Sequence, residues 1–428
     1  MKKVGVAILG LGVVGGGTYK ILTEHREMYQ KTQKIDLVVE NVLELRKERA
    51  LALGVEEGKI ATNIQEICSN PEVDIVVEVM GGVEPAKTFV LAALNAGKSV
   101  VTSNKELFCK YNHELEVAAK KNHCGLFYEA SCVGGVPVIR ALLDNLQGNK
   151  ILSMMGIING TTNYILTKMS AEGVSYQEVL KEAQKLGYAE ANPTADVEGY
   201  DATYKLSILS SLAFHTKIPY TKIYREGITE ICIDDINYGK QFGYVLKLLA
   251  IGKNGDNGIE VRVHPAFIKA SHPLASVNDS YNAVYITGDS VEDVMLYGRG
   301  AGALPTGSAI VGDVIYCATH VNYQYSTFKN TETASPSTKF VQNFESAYYI
   351  RLDATDKSGV LAKVSSIFSK CGISVAKMIQ EDKASADGTV PLIFITHVTK
   401  ENNVKKAVSL INSLPETAKV ASVIRVVS

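Results

Sequence analysis

Near its start the chain runs KVGVAIL (residues 3–9), then GLGVVG from Gly10 to Gly15, then GGTYKILTEHREM from Gly16. That is an apolar strand, a glycine turn and the opening of a helix, in that order. A strand apolar at every position is covered on both faces, and a helix directly behind it supplies one of the covers. Gly10 permits the tight turn, Gly12 lets a ligand approach the backbone, and Gly15 lets the helix lie on the strand. An isolated G-x-G-x-x-G carries little information. In this strand–turn–helix setting it marks a cradle for a dinucleotide pyrophosphate at a helix N-terminus, against the plainer reading of a glycine-rich turn without a ligand.

The pattern repeats. IDLVVENVLEL from Ile35 reads as the second strand, DIVVEVM from Asp74 as the fourth and KSVVTS from Lys98 as the fifth, with a helix over Ala86–Ala96. Strands alternating with helices predict an α/β fold with a parallel, doubly wound, Rossmann-type sheet. An acidic residue at the end of the second strand usually meets the adenosine ribose. Here Glu40 and Glu44 compete for that place while Arg46 and Lys47 follow, so NAD and NADP are not separated.

With 428 residues, 46% of them hydrophobic, the chain has material for about three domains. The 44 Lys+Arg against 45 Asp+Glu remove any bulk attraction to nucleic acid or an anionic membrane. Seven cysteines without a C-x-x-C pair disfavour a disulfide framework and a zinc site. Glycines interrupt the N-terminal apolar run where a signal peptide would continue, and no stretch of 18 uncharged apolar residues follows, so a cytoplasmic protein is expected.

The dinucleotide domain is expected over 1–136. Residues 137–320 read as a substrate-binding and dimerisation domain of α+β type. It has helices at Ser175–Leu186 and Asp201–Phe214 and strands at Ile231 (ICI), Glu260 (EVRV) and Tyr281 (YNAVYIT), and its last segment, 298–320, returns to the first domain. The Ser/Thr/Asn/Pro-rich stretch from Tyr325 places a linker over 321–346. Residues 347–428 read as β-α-β-β-α-β, a ferredoxin-like order.

Hydride transfer needs a group that exchanges a proton with the substrate oxygen. The eight histidines sit in surface-like or strand-end contexts, and two lysines stand out instead. Lys105 follows the fifth strand in VTSNKEL, at the sheet edge where open α/β folds bind ligands. Lys205 lies in DVEGYDATYKLSIL with Asp201 one turn before it, either a routine surface ion pair or a lysine directed into a cleft.

Taken together, GLGVVG, VTSNK from Val101, YEASCVGGVP from Tyr128, GIINGTTNYIL from Gly156, LGYAEANPTADVEGYD from Leu186 and PTGSA from Pro305 resemble the homoserine dehydrogenases. The tail, with its TDKSGVL turn from Thr355, resembles an ACT domain, a small-molecule sensing module. The resemblance implies reversible NAD(P)-dependent interconversion of L-aspartate 4-semialdehyde and L-homoserine, on the route to threonine, methionine and isoleucine. It implies Lys205 as general acid/base with Lys105 assisting, and Glu190, Asp201 and Asp196 as substrate carboxylates. Cofactor contacts fall on Gly10, Leu11, Gly12, Val13, Val14, Gly15, Lys105, Gly187 and Gly302. A monovalent cation, sodium or potassium, falls on Glu129, Cys132, Gly134 and Val136, although Val133 departs from the small residue usual there. Asp356 and Gly359 mark the turn for an amino-acid effector such as threonine, and a homodimer or homotetramer is implied. Two rivals compete: a semialdehyde dehydrogenase forming a thioester on Cys132, and a non-catalytic sensor of nucleotides and amino acids.

Overall fold

The computed structural model describes residues 1–320, 338–380, 388–414 and 417–427, which form two compact units. The first unit collects Met1–Gly160, Asp201–Ile223 and Ser280–Thr338; the second collects Thr161–Tyr200, Tyr224–Asp279 and Lys339–Ser428. The units therefore cut across the expected boundaries at 136/137 and 320/321. Residues 137–160 and 201–223 fall in one unit with the nucleotide-type sheet, and 161–200 and 224–279 in one unit with the tail. Most of the expected linker, 321–337, lies outside the described residues.

Six parallel strands head the first unit: β1 (Lys2–Leu9), β2 (Ile35–Leu43), β3 (Ile60–Ala61), β4 (Ile75–Glu78), β5 (Ser99–Thr102) and β6 (Leu126–Phe127), in the order 3-2-1-4-5-6. That is the doubly wound, dinucleotide-binding order. Val4, Val6, Ile8, Val39, Ile75, Val77 and Val101 fill its core. The helix Ala303–Thr319 adds Ile310, Val311 and Val314 to the same core. At the first turn Gly10 has φ +93°, and a Cβ on Gly15 would stand 2.0 Å from the Gly10 carbonyl oxygen, so neither position accepts another residue without strain. The helix runs Val13–Glu24, three residues earlier than its composition suggests, because Gly12 serves as N-cap and the turn is shorter than the glycine run. The same unit carries an antiparallel trio, β7 (Ile151–Ile157) paired to β11 (Tyr281–Gly288), and β11 to β12 (Glu292–Arg299).

In the second unit β8 (Tyr224–Arg225) and β9 (Tyr244–Gly255) flank β10 (Gly258–Lys269). The tail follows as β13 (Glu345–Thr355), β14 (Val375–Gln380), β15 (Thr389–Thr396), the two-residue β16 (Thr399–Lys400) and β17 (Thr417–Val427). Helices Val360–Lys370 and Glu401–Asn412 complete β-α-β-β-α-β. Tyr348, Ile350, Leu352 and Ala354 alternate along β13 and meet Val360, Val364 and Phe368, four residues apart on the first helix. Two periods thus meet in one core. At its far end β17 pairs in parallel with β10, so the tail is hydrogen-bonded to the β9–β10 hairpin.

Two local expectations change. Ile231–Ile233 is no strand: Ile233 opens the helix Ile233–Gln241, whose first turn carries Asp234 and Asp235 and gains from the helix dipole. Three apolar residues are too short a run to decide period. The segment assigned to the end of the linker is structured, because Phe340 bridges to Ile259 and β13 begins at Glu345. Among the described residues no helix is long and apolar enough to cross a membrane.

Candidate active site

Lys105 opens the helix Lys105–Lys121 directly after β5, at the C-terminal edge of the parallel sheet. A chain of hydrogen bonds sets its position. Asn104 caps the helix by accepting from the Leu107 amide at 3.1 Å, and its side-chain amide donates to the Gly82 carbonyl at 2.6 Å. The Asn104 amide in turn donates to Thr102 Oγ1 at 2.9 Å, and that hydroxyl donates to Glu78 Oε2 at 2.6 Å. Glu78 is fully buried at the end of β4, and burial pushes its carboxyl up despite the bonds it accepts.

Lys205 sits on the helix Tyr200–Ala213, 9% exposed. Its ammonium donates to the Ile158 carbonyl at 2.8 Å and to Asp201 Oδ2 at 2.7 Å. Asp201 Oδ1 lies 3.0 Å from Lys105 Nζ, and Asn159 Nδ2 donates to Asp201 Oδ2 at 2.9 Å. Two ammonium groups a hundred residues apart in sequence therefore share one buried carboxylate. Burial alone would raise the Asp201 carboxyl; the adjacent Lys105 and Lys205 charges and the bonds from Lys205 and Asn159 overcome it and hold it well below the ordinary carboxylate range. Two of the three Lys205 N–H groups are spent on holding the side chain in place.

Asp201, the carboxylate expected to meet the substrate ammonium, receives both lysines and Asn159. Glu190 and Asp196 belong to the second unit, Glu190 exposed and Asp196 half-buried on the short helix Thr194–Val197. Gly187 is also in the second unit, with φ +77° and an exposed position. Gly302, in the first unit, has φ +126° and caps the helix Ala303–Thr319.

The residues around the glycine turn fit a dinucleotide. A Cβ on Gly12 would meet nothing within 4 Å, and a cleft of about 590 Å³ opens there between Leu11, Gly12, Val13, Arg49, Leu53 and Leu304. Gly12 has no side chain with which to cap the first-turn amides of its helix, so those donors face the cleft. Of the two acids considered for the ribose, Glu40 turns back to Lys3 at 2.8 Å. Glu44 accepts from the Leu11 amide at 2.7 Å and the Arg46 amide at 3.0 Å.

The turn after β6 carries Glu129, Cys132, Gly134 and Val136, the residues expected to meet a monovalent cation. Glu129 is buried, accepts from the amides of Ile139 (2.9 Å) and Arg140 (2.6 Å), and donates its own amide to Asp313 Oδ2 at 2.9 Å. Burial, with the neighbouring Asp313 charge adding to it, pushes its carboxyl up to about 8, against the pull of those amides and Arg140. Such a carboxylate gains from an added positive charge. Val133 and Gly134 both have φ +57°, and a Cβ on Gly134 would come within 2.3 Å of the Gly300 oxygen. A β-branched residue with left-handed backbone is strained, and the departure at Val133 falls at that bend. Among the described residues no cluster of three or more His, Cys, Asp or Glu side chains is arranged for a metal, so any cation here rests chiefly on carbonyl oxygens.

Cys132 is fully buried; burial pushes its thiol up to about 12, and its Sγ lies 3.9 Å from the Lys205 carbonyl oxygen. A buried thiol that holds its proton so firmly makes a poor thioester-forming nucleophile. Asp356 is exposed on its turn, and a Cβ on Gly359 would meet nothing within 4 Å.

The profile described as "Homoserine dehydrogenase" matches residues 137–315, and the one described as "Homoserine dehydrogenase, NAD binding domain" matches 10–129. The chain is 38% identical to homoserine dehydrogenase of Bacillus subtilis, covering 100% of this chain and 99% of that one. It belongs to the homoserine dehydrogenase family. An ACT domain profile matches residues 348–416. The Corynebacterium glutamicum homoserine dehydrogenase is 40% identical over 99% of this chain and 95% of its own length. The solved homoserine dehydrogenase from Thiobacillus denitrificans superposes with a TM-score of 0.93 at 38% identity, covering 100% and 99% of the two chains. A hyperthermophilic archaeal homoserine dehydrogenase in complex with NADPH covers 74% of this chain and 97% of its own, with a TM-score of 0.63 at 29% identity. As a homoserine dehydrogenase the chain is an oxidoreductase of amino-acid biosynthesis with a nicotinamide-nucleotide domain and an ACT domain.

Several members of this homoserine dehydrogenase site carried no assigned role at the level of sequence. Asn159 lies inside the quoted GIINGTTNYIL string. Glu78 and Asp313 each carried a signal of their own, an acid ending an apolar strand and an acid within a mostly apolar helix.

Proposed function

We propose that Lys205 is the general acid/base of the dehydrogenase and that Lys105 assists it, with Asp201 and Asn159 orienting both. One observation carries this reading: the convergence of the two ammonium groups on the buried Asp201 carboxylate. When bound, the nicotinamide supplies or accepts the hydride. The Lys205 Nζ donates a proton to the aldehyde oxygen of L-aspartate 4-semialdehyde in reduction and takes it back from the C4 hydroxyl of L-homoserine in oxidation. Lys105, 38% exposed at its side chain, adds a second positive charge beside the oxygen on which negative charge grows. Glu190 and Asp196 are assigned to the substrate ammonium by resemblance alone.

The backbone of Leu11, Gly12, Val13 and Val14 cradles the pyrophosphate. With Glu44 engaged by two backbone amides and Lys20, Arg46 and Arg49 nearby in the chain and cleft, the phosphorylated cofactor NADP is favoured over NAD. A sodium or potassium ion would be held by Glu129 and the carbonyls of Cys132, Gly134 and Val136, stiffening the turn that precedes the helix Val138–Arg140. An amino-acid end product, threonine foremost, regulates the enzyme through the ACT domain. A homodimer or homotetramer is the expected assembly. All seven cysteines are free thiols, which suits a reducing compartment such as the cytoplasm.

Lys205→Ala tests the assignment. Homoserine-dependent reduction of NADP should fall by at least about 100-fold in kcat with cofactor affinity nearly intact. Turnover equal to the parent's would remove Lys205 from the chemistry.

A further inference from the structure

Glu78 is a fully buried carboxyl at the end of an otherwise apolar strand, β4, and the reaction above gives it no part. Leu9 and Glu78 are paired across β1 and β4, the two neighbours at which the strand order reverses. Glu78 therefore lies at the root of the crevice where such sheets bind their nucleotide. Its surroundings all donate. Thr102 Oγ1 donates to Oε2 at 2.6 Å and the Met80 amide to Oε1 at 2.9 Å, and the Gly81 amide and the Asn104 side chain add further bonds. A carboxylate offers an acceptor on both of its atoms, whereas a glutamine would turn its NH2 toward some of these donors. Burying a carboxyl here costs stability that a valine in the same strand would return, and what it secures lies on both sides of it.

On one side is the loop after β4. The Val79 amide donates to the Leu9 carbonyl at 3.1 Å, and Val79 and Met80 press on the glycine turn. A Cβ on Gly10 would stand 3.2 Å from Met80 Cγ, and one on Gly15 3.1 Å from Val79 Cγ2. On the other side Thr102 Oγ1 accepts from the Asn104 amide at 2.9 Å, and Asn104 caps the helix that Lys105 opens. The Asn104 side chain also donates to the Gly82 carbonyl at 2.6 Å, which closes a ring of bonds from Glu78 through Thr102 and Asn104 back to the β4 loop. We propose that Glu78 is a positioning residue for hydride transfer: it fixes the start of the Lys105 helix against the loop that bears on the glycine turn, so that the Lys105 ammonium and the bound nicotinamide keep one spacing. It acts through Thr102 and Asn104 and not by contact with the reacting atoms. This role rests on the reading that Lys105 assists Lys205, and it names what holds that lysine in place.

Glu78→Gln, Thr102→Val and Lys105→Ala, singly and with each of the first two combined with the third, test it in homoserine oxidation by the full-length chain. NADP affinity is measured separately by titration. Glu78→Gln and Thr102→Val should each lower kcat by about tenfold, the cost of a group displaced by a fraction of an ångström. Affinity for NADP should stay within about twofold, since the pyrophosphate rests on the backbone of the glycine turn, which neither substitution alters. Lys105→Ala should itself lose about tenfold or more, and adding Glu78→Gln to it should cost less than about twofold further, because two substitutions that act through one group do not add. Should Glu78→Gln fold poorly, Thr102→Val, alone and with Lys105→Ala, decides in its place. A full further loss of about tenfold in the double variant would make Glu78 a structural residue and overturn the role. Parent turnover in Glu78→Gln beside a loss in Lys105→Ala would also overturn it and leave Lys105 in the reaction. Parent turnover in Lys105→Ala would remove both together.

Discussion

Asp201→Asn is the sharpest probe of the site. The carboxylate receives Lys205 at 2.7 Å, Asn159 at 2.9 Å and Lys105 at 3.0 Å. At an effective dielectric of about 20, a unit-charge pair 2.7 Å apart is worth at most about 6 kcal/mol, before the cost of desolvating both groups. The two lysines lose different amounts. Lys105 is more than a third exposed and can turn into water, so its share is that of a surface bridge, under about 1 kcal/mol. Lys205 cannot follow. Its buried ammonium would keep the Ile158 carbonyl and face an amide, a change of the kind that costs roughly 3–5 kcal/mol. At roughly 2–4 °C per kcal/mol, the first unit should melt about 6–20 °C lower. Turnover should fall by about 100-fold or more, because an acid misplaced by an ångström loses that much, while cofactor affinity holds within about twofold.

The pH dependence has a definite sign. A carboxyl whose folded pKa is depressed contributes fully above its unfolded value near 4 and loses that contribution only as pH falls through the lower, folded value. The stability gap between parent and variant should therefore be flat from about pH 6 to pH 9. Thermal unfolding and homoserine-dependent NADP reduction over that range measure both effects. A variant that melts within about 2 °C of the parent and turns over within about twofold would falsify the clamp.

Iodoacetamide at mildly alkaline pH should leave activity intact, since Cys132 is buried and its thiol is pushed up to about 12; rapid inactivation that tracks labelling of Cys132 would restore the thioester mechanism. Lys247 is buried among Asn163 Oδ1, the Val277 carbonyl and Asn278 Oδ1, and burial lowers it to about 8, with Asp279 opposing. Between there and its unfolded value near 10.5 the unfolded chain holds a proton that the folded chain has shed. Stability from this group should thus rise with pH by up to about 3 kcal/mol and be lost as pH falls through 8. In Lys247→Met that slope should flatten, and parallel unfolding curves for parent and variant from pH 7 to 10 would count against it. Arg46→Glu should shift the ratio of kcat/KM from NADP toward NAD by about tenfold or more; an unchanged ratio would remove the basic residues after β2 from cofactor choice.

Ending the chain near residue 325 is a poor test of the ACT domain. It removes β17, the parallel neighbour of β10, and strips a sheet as well as a sensor. Point substitutions in the full chain avoid that confusion.

Local rules were enough for much of this protein. Apolar runs four to eight residues long, each closed by a turn, mark strands covered on both faces, and the four-residue spacing of Val360, Val364 and Phe368 marks a helix against a sheet. The glycine turn was legible because only a residue without Cβ tolerates φ +93° at Gly10 and the 2.0 Å approach at Gly15. Motif strings in order were enough for the family. Chain distance hid the rest. That Lys105 and Lys205 meet on Asp201 depends on where two helices begin and how the sheet edge carries them, and a lysine at either position reads locally as a solvated one. The same holds for Glu44, taken by a backbone amide of the turn it was expected to serve beside, and for Ile231–Ile233, whose three residues have no period of their own. Segment 201–223 packs with 1–160, and segment 224–279 with the tail, because burial is settled by which apolar faces find each other in three dimensions. Period and turn chemistry act between neighbours in the chain, so sequence reveals them; charge pairing and desolvation act between neighbours in space, and only the folded chain decides who those are.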